Sequence, residues 1–318
     1  MKKNIRHFFL LTACAAACMH GINRFIDASA NMKNLLKTHT GHFFEWRYGN
    51  IFYTKSGEGS PLLLIHDLNP VSSSFEWNRV IRKLSKSHTV YAIDLLGCGR
   101  SDKPQLTYTN YMYVQLITDF VKKIIEQKSD VIATGTSGSF TLMAANMDDS
   151  IFDKIFLVSP ASLESYLANP TSKNNMTKKL LELPVIGTFF YHILVRENRI
   201  TDLFEQEYFN RKSLISVTAK DTYYESAHSK NSSGRFLYGS ILGNYTNINI
   251  IPALKKIENP IFIIGSRENQ KDIRIIDSYV KYDPLIEPAY LSHCGKLPQM
   301  EDPDKFCDII RMFYHSAE

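Results

Sequence analysis

The feature that most constrains this chain is an apolar run of strand length, Pro61–His66, which is polar only at its last residue. Such a run is typical of a strand buried on both faces of a parallel sheet. Similar runs recur and alternate with segments of helical spacing, which predicts a doubly wound α/β fold with a mostly parallel sheet. The predicted strands are 61–66, 89–93, 131–133, 155–158, 260–264 and 286–291, and the predicted helices are 75–84, 111–125, 139–146, 273–282 and 303–313.

The alternation has a lead-in and one interruption. A β-hairpin is predicted over residues 43–54, with its turn at Gly49-Asn50. From about 160 to 249, helical, aromatic and Lys/Asn-rich segments replace the alternation, which then resumes. Because the sheet resumes, this insertion is predicted to be a helical cap on one domain, residues 41–318.

The N-terminal segment, residues 1–40, predicts attachment to a membrane. The first 60 residues hold eight basic and three acidic side chains, which accounts for the whole net charge of +5. Nucleic-acid binding is not expected, because the remaining chain shows no basic stripe. A charged start, residues 1–6, precedes an apolar run from Phe8 to Ile22, as in an uncleaved anchor of the bacterial cell envelope. An amphipathic surface helix and a lipoprotein cleavage site at Cys14 are the alternatives.

The cysteines predict neither a disulfide framework nor a metal site. They are odd in number, show no CxxC spacing, and have no His or carboxylate at ligand spacing. Since no other ligand motif occurs, no metal and no cofactor are expected. The five positions are Cys14, Cys18, Cys98, Cys294 and Cys307.

A glycine-rich pentapeptide, Gly135-Thr-Ser137-Gly138-Ser139, follows one predicted strand and opens a helix. Its small residues let the backbone turn sharply and hold the Ser137 hydroxyl above the sheet. The helix N-terminus beside it favours a developing oxyanion. The pattern therefore predicts a nucleophile at Ser137.

Together with the segment Asp94–Pro104, of pattern Asp-x-x-Gly-x-Gly-x-Ser, this pentapeptide resembles the α/β-hydrolase superfamily, in its serine-esterase-like branch with a helical cap. The resemblance runs from about Phe43 to Phe313. It implies that the backbone N–H groups of Leu68 and Gly138 hold the oxyanion. Asp67 stands where that family usually has glycine.

The resemblance also implies an acid after the penultimate strand and a histidine after the last one. Glu268 stands at the acid position, whereas Lys296 occupies the histidine position. A lysine is a cation at neutral pH, so it accepts a proton only where burial lowers its pKa. His293, three residues upstream, and His228 in the cap are the other candidate bases.

Two functions follow from these residues. The first is a serine hydrolase that acts on a small, apolar ester, thioester or amide through an acyl-enzyme at Ser137, with Glu268 orienting the base. The alternative is a catalytically impaired protein that binds a ligand or a partner at the membrane. Lys296 and Asp67 motivate this alternative.

Overall fold

The computed structural model describes residues 2–38 and 40–316, and a single eight-stranded sheet lies at its centre. The strands are β1 (Gly41–Trp46), β2 (Gly49–Ser56), β3 (Ser60–Ile65), β4 (His88–Ile93), β5 (Ser129–Thr134), β6 (Phe152–Val158), β7 (Ile261–Ser266) and β8 (Glu287–Leu291). Their order is β1-β2-β4-β3-β5-β6-β7-β8, and only the β1–β2 and β2–β4 pairs are antiparallel. The predicted doubly wound, mostly parallel sheet is confirmed.

Helices cover both faces of the sheet and form the cap. They are α1 (Lys2–Ala30), α2 (Ile81–Leu84), α3 (Asn110–Phe120), α4 (Ser137–Met147), α5 (Ser172–Glu182), α6 (Ile186–Leu194), α7 (Glu197–Leu203), α8 (Val217–Ser232), α9 (Gly234–Leu242), α10 (Ile251–Leu254), α11 (Gln270–Tyr282), α12 (Pro298–Glu301) and α13 (Pro303–Ser316). The helix predicted over 75–84 is instead a 3₁₀ turn at Ser74–Trp77 followed by the single turn of α2.

The apolar run Pro61–His66 is buried on both faces of the sheet, as predicted. Alternate side chains of β3 enter opposite layers: Leu63 and Ile65 pack toward α3 and α4, and Leu62 and Leu64 pack toward α13. All four are fully buried. Each such burial stabilises the fold by about 1.5–3 kcal/mol, which is why the sheet organises the molecule.

The predicted hairpin is present, but its turn lies at Arg47-Tyr48, since Trp46 pairs with Gly49. Gly49 belongs to β2 and has a φ of +143°, and a Cβ there would lie 2.7 Å from the Cβ of Asp102. The glycine is therefore required for close approach to another loop, and this requirement misplaced the predicted turn by two residues.

Helices α5 to α9, here called the cap, lie between β6 and β7. Aromatic side chains fill its interior, among them Tyr191, Phe204 and Tyr223, none of which is exposed. The last part of α1 packs on the cap helices α6 and α8. The charged start predicted at residues 1–6 lies outside the residues whose side chains are described.

Candidate functional site

The turn between β5 and α4 is made at Gly135, which has a φ of +56°. This left-handed conformation costs a residue with a Cβ roughly 1–2 kcal/mol, so glycine suits it. Gly135 thus occupies the sharp strand-to-helix position at which this type of fold presents its nucleophile. The turn lies two residues before Ser137, the predicted position.

The carboxyl group of Asp67, in the loop after β3, fills the space above Gly135. A Cβ at position 135 would lie 2.4 Å from Asp67 Oδ1. The same oxygen accepts a hydrogen bond from the N–H of Thr136 at 2.8 Å, and the N–H of Leu68 also points to this carboxyl. Burial raises the pKa of Asp67, and the Thr136 hydrogen bond opposes this. Two backbone donors therefore converge on a carboxyl from the chain itself.

His66 fixes the loop that carries Asp67. Its Nε2 accepts a hydrogen bond from Leu95 N–H at 3.0 Å, so in the neutral ring the proton lies on Nδ1. Nδ1 in turn donates to the carbonyl oxygen of Asp67 at 2.7 Å. Burial lowers the pKa of His66 to about 4, and the ring is neutral at physiological pH.

Ser137 lies in the first turn of α4 and is fully buried. Its Oγ donates a hydrogen bond to the carbonyl oxygen of His66 at 2.6 Å, away from the cavity beside Gly135. The N–H of Gly138, the other predicted oxyanion donor, donates to the carbonyl oxygen of Gly135 within the helical turn. Of the two predicted donors, only Leu68 points to the place where an oxyanion would lie. The Gly138 N–H does not point there because the strand-to-helix turn lies at Gly135, two residues before the predicted position.

Glu76 lies behind Asp67 and is fully buried. Its Oε2 accepts a hydrogen bond from the N–H of Asp67 at 3.4 Å, and its Oε1 accepts one from Gln299 Nε2 at 2.9 Å. Burial raises the pKa of Glu76 to about 8, and the neighbouring Asp67 carboxyl acts in the same direction. Glu76 therefore retains its proton at neutral pH.

Lys296, at the expected histidine position, is bound to the cap. Its ammonium group forms an ion pair with the carboxylate of Glu207. The backbone N–H of Lys296 also donates a hydrogen bond to the backbone carbonyl oxygen of Glu207 at 3.0 Å. Its partner is thus Glu207 of the cap and not Glu268, the residue at the expected acid position. Lys296 does line the cavity beside Gly135.

Glu268 and His293 lie apart from this cavity, on the surface. Glu268 Oε1 is 3.6 Å from His293 Nδ1, and the two side chains are 34% and 72% exposed. A hydrogen bond from the His293 N–H lowers the pKa of Glu268. Neither belongs to the described residues that line the cavity. The other candidate base, His228, is buried in the cap, where burial lowers its pKa to about 4.

The cavity has a volume of about 230 Å³ and lies at the carboxyl edge of the sheet. Ser159 in its wall has a left-handed φ of +43°, and its Oγ has no hydrogen-bond partner among the described residues. Asp272 is buried there; burial raises its pKa, and the charges of Lys296 and Lys271 oppose this. The lining residues are Asp67, Gly135, Thr136, Ser159, Pro160, Ala161, Ser162, Ser165, Lys271, Asp272, Ile275 and Lys296. In the described part of the chain, no three His, Cys, Asp or Glu side chains are grouped to hold a metal.

The chain belongs to the alpha/beta hydrolase family, whose family model matches residues 62–309. The predicted resemblance to this superfamily is thereby confirmed. Members of this family are hydrolases, and the characterised relatives of the chain include a dienoic acid hydrolase and a proline iminopeptidase.

Sequence relatives match mostly over short stretches. An uncharacterized protein of Mycobacterium tuberculosis is 29% identical over 130 residues, which is 41% of this chain and 36% of that protein. A 2-hydroxy-6-oxo-6-(2'-aminophenyl)hexa-2,4-dienoic acid hydrolase of Metapseudomonas resinovorans is 27% identical over 35% of this chain and 39% of that enzyme. These matches span little more than a third of the relatives. A proline iminopeptidase of Heyndrickxia coagulans is 24% identical over 87% of this chain and 99% of that enzyme.

Solved structures share the fold at low identity. A meta-cleavage product hydrolase of Pseudomonas fluorescens has a TM-score of 0.68 and 20% identity over 88% of this chain and 99% of its own. A membrane phospholipase A described as a bacterial virulence factor has a TM-score of 0.66 and 20% identity over 99% of both chains. The second match therefore includes nearly all of the N-terminal helix α1.

Sequence reasoning missed three residues of this site: Glu76, Gly135 as the turn residue, and Asp272. Two signals were available for the turn. First, small residues also occur one step earlier, at Ala133, Gly135 and Ser137, which allows the turn to lie at Gly135. Second, Asp67 stands where the family usually has glycine. For Glu76, a carboxylate between Phe75 and Trp77 was the signal. Asp272 gave none, because its burial depends on how α11 packs.

Proposed function

We propose that this protein binds a small polar ligand at the carboxyl edge of its sheet and does not form an acyl-enzyme. The observation that carries the proposal is the Asp67 carboxyl, which lies above Gly135 and accepts the N–H of Thr136. In serine hydrolases of this fold, that N–H and one from the loop after β3 hold the oxyanion. With no side chain at position 135 and an internal carboxyl in the oxyanion position, both attack and oxyanion stabilisation lack their groups.

The chemistry of the cavity supports a polar ligand. Hydroxyl, carboxyl and ammonium groups dominate its wall, and Pro160, Ala161 and Ile275 are its few apolar members. Aromatic residues of the cap, such as Tyr191 and Tyr223, are buried in the core of the cap and do not line the cavity. A ligand with both hydrogen-bond donors and acceptors suits this lining better than the apolar ester expected from the sequence.

The competing candidate is hydrolysis of a small ester, thioester or amide through Ser137, and the hydrolases of the family favour it. It requires the Ser137 hydroxyl to leave the His66 carbonyl oxygen and enter the cavity. Lys296 would also have to leave Glu207 to serve as a base.

Labelling with a fluorophosphonate probe separates the two candidates. We expect no label on the native chain and no change after Ser137→Ala. The triple variant Asp67→Gly/Gly135→Ser/Lys296→His places a hydroxyl at the turn, frees the oxyanion position and supplies an imidazole base, so it should gain label at residue 135. Label at Ser137 of the native chain would refute the proposal and establish the serine-hydrolase candidate.

We propose further that α1 attaches the protein to a membrane. Among the described helices, only α1 is long and apolar enough to cross a bilayer, over Phe9–Ala30. Because residues from Asn23 onward contact the cap, the deletion that tests attachment should remove residues 2–22 only. We expect the full chain to stay with washed membranes in high salt and the shortened chain to be released. Release of the full chain by salt alone would contradict the anchor.

A further inference from the structure

Helix α1 has two parts with different surroundings. From Asn23 onward it is held on the cap: Asn23 Nδ2 donates to the Val185 carbonyl oxygen at 2.9 Å, and Ser232 Oγ donates to Asp27 Oδ1 at 2.5 Å. From Phe9 to Ile22 the helix is mostly apolar and exposed; Leu11, for example, is 69% exposed. The part of α1 without contact to the cap therefore ends at the level of Val185, where α6 begins.

Helix α6 carries exposed apolar side chains next to this level. Ile186, Phe190, Ile193 and Leu194, here called the α6 stripe, are between 37% and 44% exposed. Their spacing of four, seven and eight residues places them on one face of the helix, opposite the buried His192. A surface helix of a soluble domain normally has a polar outer face, which α6 lacks.

The depth of the α6 stripe along α1 follows from two contacts. Asn23 meets Val185 at the start of α6, and Asp27 Oδ1 lies 3.6 Å from His192 Nε2 near its end. Four residues of α1 rise about 6 Å. The whole stripe thus lies close to the end of the exposed part of α1, within the depth that a bilayer interface offers to apolar side chains, about 5–10 Å.

The surroundings of the α6 stripe carry positive charge. Four basic residues near the stripe are exposed, against two exposed acidic residues, Glu197 and Asp202. Basic groups next to an apolar surface favour anionic lipid headgroups. The basic residues are Arg24, Lys179, Arg196 and Arg199.

We propose that the α6 stripe rests in the headgroup region of the same bilayer that α1 enters, so that the cap contacts the membrane at two places. The inference depends on the membrane attachment proposed above. Continuity with the apolar part of α1 and the basic surroundings favour a bilayer over a second copy of the chain. Two contacts would fix the orientation of the domain, which a single helix leaves free to rotate.

The test uses the full chain in vesicles of phosphatidylethanolamine and phosphatidylglycerol, with an environment-sensitive fluorophore on single cysteines. The background carries Cys14→Ser and Cys18→Ser, because the other three cysteines are buried. Ile186→Cys and Phe190→Cys report on the stripe, and Leu11→Cys reports on the anchor. Leu285→Cys is the control, since Leu285 is an apolar residue that is 85% exposed in the loop before β8.

We expect labels at 11, 186 and 190 to shift to shorter emission wavelength and to be quenched by lipids that carry a nitroxide, while the label at 285 does neither. Quenching at 11 without quenching at 186 and 190 would overturn the second contact and leave the anchor. No quenching at 11 would overturn both. A wavelength shift at 186 and 190 without lipid quenching would mean that a second copy covers the stripe, which also overturns the proposal.

Discussion

The two halves of the candidate site satisfy their polar groups in different ways. In the buried half, formed by the loops after β3 and β5, Asp67, Thr136 and Ser137 are each bonded to backbone or side chain of the same two loops. In the exposed half, after β7 and β8, Glu268 and His293 form a surface pair, and Lys296 is bound to the cap.

The contrast supports the proposal of a hydrolase-fold site that binds a ligand without forming an acyl-enzyme. In the buried half, the Thr136 N–H and the Ser137 hydroxyl, which could bind a substrate atom, already form hydrogen bonds within the protein. These hydrogen bonds make the strand-to-helix turn at Gly135 rigid. Groups of the exposed half interact through solvent, where an ion pair contributes about 0–1 kcal/mol. Changes to the buried half should therefore alter stability strongly, and changes to the exposed half weakly.

The largest effect is expected from Gly135→Ala, which should destabilise the fold by about 3 kcal/mol, because it combines a left-handed φ with a contact of 2.4 Å to Asp67 Oδ1. Urea unfolding in detergent measures this. Gly21→Ala is the control, since a Cβ there meets nothing within 4 Å. In an Asp67→Gly background the cost of Gly135→Ala should fall markedly; an unchanged cost would show that the carboxyl does not fill this space.

Glu76 should give the buried half a pH dependence. Its folded pKa of about 8 lies above the ordinary 4.5, so between these values the unfolded state has released a proton that the folded state keeps. Stability therefore falls as pH rises, by up to about 1.4 kcal/mol per unit. His66, with its pKa lowered to about 4, acts oppositely below pH 6.5, and Lys103, with its pKa lowered to about 8, acts oppositely as pH approaches 8. Between these limits the fall in stability belongs to Glu76.

The variant Glu76→Gln should abolish this slope, and thermal unfolding followed at several pH values between 6.5 and 8 provides the measurement. Glu268→Gln, the same substitution at an exposed carboxylate, should leave the slope as it is. A native slope that survives Glu76→Gln would assign the pH dependence to another group.

Ser137→Ala should have a moderate effect, about 1 kcal/mol, from loss of the hydrogen bond to the His66 carbonyl oxygen. Ser139→Ala is the matched control, because Ser139 is also buried and its Oγ donates to the Thr136 carbonyl oxygen at 2.8 Å. Both are measured by urea unfolding. If an esterase activity were lost in Ser137→Ala and kept in Ser139→Ala, Ser137 would be a reactive group. The buried half of the site would then not be saturated by internal hydrogen bonds.

The smallest effect is expected from Glu268→Gln, whose free energy of unfolding should stay within about 0.5 kcal/mol of the native value, because the pair with His293 is solvent-exposed. Urea unfolding at low and high salt tests this. A loss above about 1 kcal/mol would show that the exposed half is more tightly coupled to the fold than its geometry indicates.

Much of the fold was predictable because burial on two faces leaves a direct mark on a sequence. The run Pro61–His66 predicted β3, and similar runs predicted the remaining parallel strands. The segment from Asp94 to Arg100, which carries part of the resemblance, is held by local contacts, since Asp94 Oδ2 accepts hydrogen bonds from the N–H and Nε of Arg100. These features depend on side chains that are near in sequence or repeat with a fixed period.

The candidate site was predictable in position and not in arrangement. Small residues at 133, 135 and 137 allow two registers for the turn, and sequence alone favoured the one that spells Gly-x-Ser-x-Gly most nearly. Choosing between them requires the backbone conformation of Gly135 and the position of Asp67, which is 69 residues from Thr136. Likewise, Lys296 selects Glu207 of the cap over Glu268 only once the cap has folded over it. The sequence by itself thus determined the sheet, its cap and the edge at which the site lies, because local hydrophobic periodicity encodes them. Tertiary structure decided which polar groups meet there, because those contacts join loops that no sequence period relates.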